Sequence, residues 1–478
     1  LNLVEFFRGR AAIGARGVAL IVASALFLIN LDGSIMTTSL PQMARSFGVS
    51  SVDVSAGVAA YLLAVAAFIP LSGWIADRYG AKRVFAGAIV LFTLASIACG
   101  AASSLGEFIL ARVAQGLGGA LMMPVGRMIV LRRAEKHEIM QATALITWPA
   151  LIAPVLGPVL GGAITTYADW RWNFLLNAPL GIVGLLLVLA YVPDDREADR
   201  RPLDLLGGVL TSTALFLLIY ALEQLARPAA GAAGAWTLIA ALVTGLGAVS
   251  WLRRAKHPLI DLRPFGYGTF RATTLDAGAL HRLAISATPF LLPLMLQDIW
   301  SLSPFQAGLV IFVYFGANLA MKTITTPLLR LAGFKRVLVV NGLIGAVCVG
   351  ACGFLSASTP IALTCVVVFL AGASRSLQMT ALNTLSFADL PGELRSSGAT
   401  LSTMMQQLAM AVGIAAAALF LQLSQSLHGS LALSASDFRW AFVAVAACAL
   451  VGTLLLFRMD RDAGWEVSGQ ARTAAGPV

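Results

Sequence analysis

Asp32, Arg112, Arg127, Arg282, Lys322 and Arg375 each stand well inside a long apolar run. A charge in hydrocarbon is costly, so such residues usually face a cavity or a partner and are candidates for function. Asp32 is the only acid deep in the first run. Burial favours a neutral carboxyl and a nearby cation favours the carboxylate, so a change of surroundings can load or unload a proton. Arg112 is the counter-charge expected for it, and the alternative for the two is a fixed structural ion pair. Arg282, Lys322 and Arg375 have few acids in neighbouring apolar sequence, with Asp276 and Asp298 near the ends of one run. Arg and Lys suit carboxylates and phosphates, so this surplus points to an anionic ligand. The alternative is that these cations bond acids or carbonyls, or extend to an interface. Arg127, a few residues from the end of its run, is the one placed to do so. His281, Tyr314, Asn318 and Gln378 complete the candidate lining. Asn318 and Lys322 are four apart and Arg375 and Gln378 three apart, so each pair shares a helix face.

The elements that position these groups follow from composition. The chain has 478 residues, is 58% hydrophobic and only 12% charged, and its mean hydropathy is +0.84. Soluble chains carry about 25% charge, and about 20 apolar residues span a bilayer as a helix. Runs of that length recur near 18–40, 52–76, 84–102, 108–131, 139–166, 172–192, 204–223, 236–252, 272–297, 305–328, 337–355, 361–386, 397–424 and 438–457. The pattern predicts an all-α polytopic membrane protein with fourteen transmembrane helices, the run at 236–252 being the weakest. With the N-terminus inside, 24 of the 33 Lys and Arg fall in cytoplasmic segments and 4 in outer loops. That asymmetry predicts both termini in the cytoplasm. It also accounts for the net charge of +10, which in a soluble protein would suggest a nucleic-acid partner. The expected partner here is the lipid bilayer, with no nucleic acid. Without a Gly-x-x-x-x-Gly-Lys-[Ser/Thr] phosphate loop, a primary pump is not expected. His137, His257, His281 and His428 are scattered without ligand spacing, so no metal, no cofactor and no enzymatic centre is expected. Cys99, Cys348, Cys352, Cys365 and Cys448 all lie in apolar runs and are expected to be free thiols.

A charged turn appears once in each half of the chain. Gly73-Trp74-Ile75-Ala76-Asp77-Arg78-Tyr79-Gly80-Ala81-Lys82-Arg83-Val84 joins the second and third runs, and Gly333-Phe334-Lys335-Arg336-Val337 joins the tenth and eleventh. Its first copy resembles the loop-2/3 motif of the major facilitator superfamily. Arg112-x-x-Gln115-Gly116-x-Gly118-Gly119-Ala120 resembles that superfamily's span-four motif, and Gly157-Pro158-x-x-Gly161-Gly162 its span-five antiporter motif. Trp170-Arg171-Trp172-x-Phe174-x-x-Asn177-x-Pro179-x-Gly181 and Leu31-Asp32…Leu40-Pro41 resemble the fourteen-helix drug:proton antiporter branch. These motifs lie in the first 185 residues, while the span count and the repeated turn extend the likeness over the chain.

The resemblance implies a 6 + 2 + 6 layout: an N-terminal bundle over 1–192, two inserted helices with linkers over 193–263, a C-terminal bundle over 264–462, and a disordered cytoplasmic tail over 463–478. It implies a monomer in a bacterial cytoplasmic membrane, driven by the proton gradient. Asp32 and Arg112 are then the proton-coupling pair. Gly73, Asp77, Arg78, Gly80, Lys82 and Arg83 form a cytoplasmic gate in which Asp77 pairs with Arg78 or Arg83. The downstream turn lacks the acid, so the same gate role is not expected of it. Gly157, Gly161 and Gly162 offer a small face for close helix approach, and Pro154 and Pro158 are expected to bend their helix. The expected activity is proton-coupled export of small organic molecules by rocker-switch alternating access. Anionic or amphiphilic substrates are favoured: an organic acid, a metal–citrate chelate or an acidic lipophile. The alternatives are a broad multidrug exporter or an acidic-lipid flippase on the same scaffold. A channel is the weaker third reading.

Overall fold

The computed structural model describes residues 14–133, 139–193, 204–226, 231–428, 432–460 and 463–465, and among these the regular structure is entirely helical. Fourteen helices coincide with the expected runs: α1 Ala15–Ile35, α2 Ser55–Tyr79, α3 Ala81–Ala101, α4 Leu105–Arg133, α5 Ile139–Tyr167, α6 Asn177–Tyr191 and α7 Leu205–Ala226, then α8 Gly231–Arg254, α9 Ala277–Leu294, α10 Pro304–Ala332, α11 Phe334–Cys352, α12 Ile361–Ser386, α13 Arg395–His428 and α14 Ala435–Leu456. Thirteen of these regions are long and apolar enough to cross a bilayer. The other is α5, a helix of 29 residues whose apolar stretch is Ile152–Tyr167. The chain is therefore a multi-pass membrane protein. The weakest expected span, 236–252, is the core of α8, and only 17% of its most apolar window is buried. Its Gly- and Ala-rich sequence builds a helix most of whose surface the rest of the chain leaves uncovered.

The chain divides into two compact units, one of Leu1–Ser212 with Ser303–Gly308, the other of Thr213–Leu302 with Leu309–Val478. Within the first, α1 packs on α5, α3 on α4 and α6, and α4 on α2. Within the second, α9 packs on α13 and α14, and α11 on α12 and α14. The pairings α1–α5, α3–α4, α3–α6 and α1–α6 recur as α9–α13, α11–α12, α11–α14 and α9–α14. The two units share an internal plan. Most of the expected tail, 466–478, lies outside the described residues, as do 194–203 of the expected linker.

The repeated turn shows why that plan recurs. Gly80 and Gly333 each join two helices at positive φ, 92° and 76°, with ψ of 130° and 160°. This backbone is essentially open only to glycine. Two residues on, a lysine reaches back to the end of the last helix of its own bundle. Lys82 Nζ donates to the carbonyl of Leu189 at 2.9 Å, and Lys335 Nζ donates to those of Phe457 at 2.9 Å and Met459. The final carbonyls of a helix have no intrahelical donor, and a cation there also suits the helix dipole. Each lysine thus ties its turn to the C-terminus of α6 or α14.

The acid of the first turn pairs elsewhere than expected. Asp77 accepts from Arg132 Nη2 at 3.1 Å, at the end of α4. Arg78 lies over the Trp74 ring, 5.5 Å from its centroid. Sequence neighbours at the end of a helix diverge around its axis, whereas α4, running parallel to α2 and ending beside it, brings Arg132 alongside. Further on, the connection from α8 to α9 is pinned by Asp261 and Arg263, joined at 2.7 Å. The Arg263 hydrogen bonds hold the Asp261 carboxyl below its ordinary range.

Candidate functional site

In the first unit Asp32 is fully buried on α1, where its carboxylate receives three donors. Oδ2 accepts from Arg112 Nη1 at 2.6 Å. Oδ1 accepts from Gln115 Nε2 at 2.9 Å and from Asn177 Nδ2 at 2.8 Å. Arg112 and Gln115 are one turn apart on α4, and Arg112 Nη1 also donates to Gln115 Oε1 at 2.6 Å. The amide therefore bridges both members of the ion pair. The guanidinium lies against Tyr61, 4.4 Å from the ring centroid, and its Nε donates to the Gly57 carbonyl at 3.5 Å. A buried charge is tolerable only when paired and hydrogen-bonded, and this one is both.

Glycines make the approach possible. A Cβ on Gly116 would sit 2.6 Å from the Tyr61 carbonyl oxygen, and one on Gly118 2.8 Å from the Phe92 nitrogen. The span-four glycines thus let α4 close on α2 and α3 while Arg112 and Gln115 reach α1. On α5, a Cβ at Gly157 would meet Ser34 Oγ at 2.0 Å, and one at Gly161 the Ile35 carbonyl at 2.2 Å. This small face seats α5 on the end of α1, as close packing requires. Gly162 faces the backbone of Pro304 and Phe305, and Gly308 that of Pro158. The helix runs unbroken through Pro154 and Pro158.

The second unit presents the opposite electrostatic situation. Arg282 is fully buried on α9, yet its bonds are to neutral groups: Nη1 to the Thr273 carbonyl at 2.7 Å and Nη2 to Asn383 Oδ1 at 2.9 Å. A π-helical turn at Ala272–Asp276 precedes α9. A Cβ on Gly278 would meet the Thr273 carbonyl oxygen, which accepts from Arg282 Nη1, at 1.6 Å, so a larger residue would displace that carbonyl. Lys322, half-buried on α10, donates to Thr380 Oγ1 at 2.5 Å. It is close enough to Arg375 for the two charges to repel. Arg375 rests against Tyr314 and Phe315, 5.7 and 5.2 Å from their centroids, and its buried Nε has no hydrogen-bond partner. Among the described residues none of these three cations forms an ion pair. Asp276 pairs with Arg271 at 3.4 Å.

The remaining candidates separate by position. His281 and Gln378 are buried and bonded to each other at 3.2 Å, and Gln378 accepts from Asn341 at 2.8 Å. They form a packed polar layer between α9, α11 and α12. Tyr314 is buried beneath Arg375, while Asn318 is half-buried and its carbonyl accepts from Ser376. Arg127 is exposed on α4, outside the Asp32 cluster. Sequence reasoning did not single out Gln115, Asn177, Ser96 or Tyr61 as site residues. The first two stand inside quoted motifs, but Ser96 and Tyr61 carry no local signal because helix packing alone delivers them. The five cysteines are free thiols.

Comparison with known proteins agrees with this architecture. The model of the Major Facilitator Superfamily matches residues 22–261 and 277–477. MdtD of Klebsiella pneumoniae strain 342, named for multidrug resistance, is 36% identical over 468 residues, covering 95% of this chain and 97% of its own. MdtD of Serratia proteamaculans is 37% identical over 409 residues, 84% of each chain. A bacterial homologue of the human lysosomal transporter Spinster, solved inward-facing and unoccupied, superposes with a TM-score of 0.66 at 15% identity. That match covers 94% of this chain and 97% of the solved one.

Proposed function

As the chain belongs to the major facilitator superfamily, a family of transporters rather than enzymes, we propose that it is a proton-coupled exporter of small organic anions, acting by alternating access. One contrast carries the reading. The first unit neutralises its buried cation with Asp32, whereas the second keeps Arg282, Lys322 and Arg375 without ion-pair partners among the described residues. Asp32 is the proton carrier and Arg112 its counter-charge. Lys322 and Arg375 receive the anion, with Asn318 and the ring of Tyr314 beside them, and Arg282 adds charge from α9. His281 and Gln378 support this surface from behind, and Arg127 offers a cation on the first unit. We place the protein in a bacterial cytoplasmic membrane with both termini inside, as a 6 + 2 + 6 monomer needing no cofactor.

Alternating exposure of a buried carboxyl lets a proton bind from one side and leave to the other. Exporting one monoanion against one incoming proton moves two positive-charge equivalents inward. At ~2.3 kcal/mol per charge per 100 mV, an inside-negative potential of that size contributes roughly 4.6 kcal/mol. The test is transport by reconstituted protein under an imposed pH gradient. Saturable anion flux that follows the gradient and is lost in Asp32→Asn supports the reading, and pH-independent, unsaturable flux overturns it. The relatives' name favours a broad multidrug exporter as the second reading, and export of a cationic dye that survives Arg282→Ala and Arg375→Ala would select it.

A further inference from the structure

Asp32 is tied to α6 by a hydrogen-bond chain whose direction is fixed at its far end. The Ser96 hydroxyl on α3 donates to the Phe174 carbonyl at 2.9 Å. With its one proton spent, Ser96 Oγ can only accept, and it accepts from Asn177 Nδ2 at 2.9 Å. The same amide nitrogen donates to Asp32 Oδ1 at 2.8 Å. An Asn amide could in principle turn its oxygen toward a protonated carboxyl, but here that would require Ser96 to withdraw its proton from the Phe174 carbonyl. All three groups are buried. Oδ1 thus accepts from Asn177 while Oδ2 accepts from Arg112, and with a donor on each oxygen the arrangement suits a carboxylate at Asp32.

The anchor of this chain lies at the start of the sixth span, one turn before Asn177. Trp172–Leu175 runs into α6 through Leu176, whose backbone stays helical at φ −57° and ψ −29°. Pro179, four residues after Leu175, leaves that residue's carbonyl without its helical donor. Phe174 is itself fixed by rings, lying 5.6 Å from Phe108 and 6.1 Å from Trp170. We infer that Asn177, oriented by Ser96 and through it by the Phe174 carbonyl, is a positioning residue that holds Asp32 as a carboxylate, so that proton uptake requires this chain to open. Movement at the start of α6 then controls when Asp32 takes its proton. The other ionisable groups facing Asp32 are Arg112 on α4, Tyr61 on α2 and Cys99 on α3.

This inference deepens the proton-coupling reading, and infrared spectroscopy tests it apart from transport. The protonated-carboxyl band of Asp32 is followed against pH in the full-length protein in lipid, with Asp32→Asn identifying the band. Asn177→Leu keeps the side chain's size and removes the donor. Losing one donor to a charged acceptor is expected to move the band's appearance upward by about one pH unit. Ser96→Ala frees the amide to turn and gives a smaller shift in the same direction. An unchanged titration in both variants, including no band in any protein, overturns the inference. Should Asn177→Leu not fold, Ser96→Ala decides alone: a band at the wild-type pH is the overturning result. A shifted band in a protein without gradient-driven flux leaves this inference standing and removes the coupling role of Asp32.

Discussion

Asp32 and Arg375 illustrate two ways of keeping a charge in an apolar protein. Asp32 has a guanidinium and two amides on its two oxygens, whereas Arg375 has aromatic rings and the like-charged Lys322 beside it. Removing one member of a buried ion pair typically costs about 3–5 kcal/mol, because the other is left uncompensated. Arg112→Ala should therefore lower the thermal unfolding temperature markedly in detergent, and adding Asp32→Asn should restore much of it. No recovery in the double variant would show that the pair is not the origin of the loss. Arg375→Ala should leave unfolding nearly unchanged while abolishing anion export, since no ion pair is broken. A large loss of stability would instead assign Arg375 a structural role. The Asp32–Arg112 partnership was legible in the sequence because charges are rare there and attract attention. Its amide bridges were less so: Gln115 and Asn177 reach Asp32 from 83 and 145 residues away, and no local pattern records such a meeting.

At the scale of elements, the repeated turn divides into a part kept in both units and a part peculiar to one. The kept part is the positive-φ glycine and the lysine two residues on. The acid belongs to the first copy alone, where it meets Arg132. Gly80→Ala and Gly333→Ala should each destabilise by roughly 1–3 kcal/mol through backbone strain, read as a lowered unfolding temperature. Equal stability would mean the turn tolerates another backbone. Lys335→Met should loosen the end of α14, seen as faster hydrogen exchange near Leu456, and unchanged exchange would remove the staple. The glycines of both turns were evident from sequence. Asp77's partner was not, because adjacent Arg78 and Arg83 invite a local pairing while the end of the parallel helix α4 supplies a distant one. The same limit applies to α5: its Gly157 and Gly161 face was visible as spacing, but that it seats on Ser34 and Ile35 depends on packing.

At the scale of the whole molecule, hydropathy and the distribution of Lys and Arg sufficed to place all fourteen helices, since the bilayer imposes length and apolarity directly on sequence. The internal plan shared by the two units could be anticipated from one repeated turn. Which ligand the second unit serves is a matter of charge, and the most direct test is electrical. Proteoliposomes holding the full-length protein can be loaded with a labelled monocarboxylate, a singly charged acidic lipophile or a cationic dye, and flux measured at fixed pH gradient while the membrane potential is varied. Two inward charge equivalents per cycle predict that anion efflux from the protein's cytoplasmic side rises steeply as that side becomes negative, and that Arg375→Ala abolishes it. Efflux of the dye alone, or anion efflux indifferent to potential and to Arg375, would contradict the account.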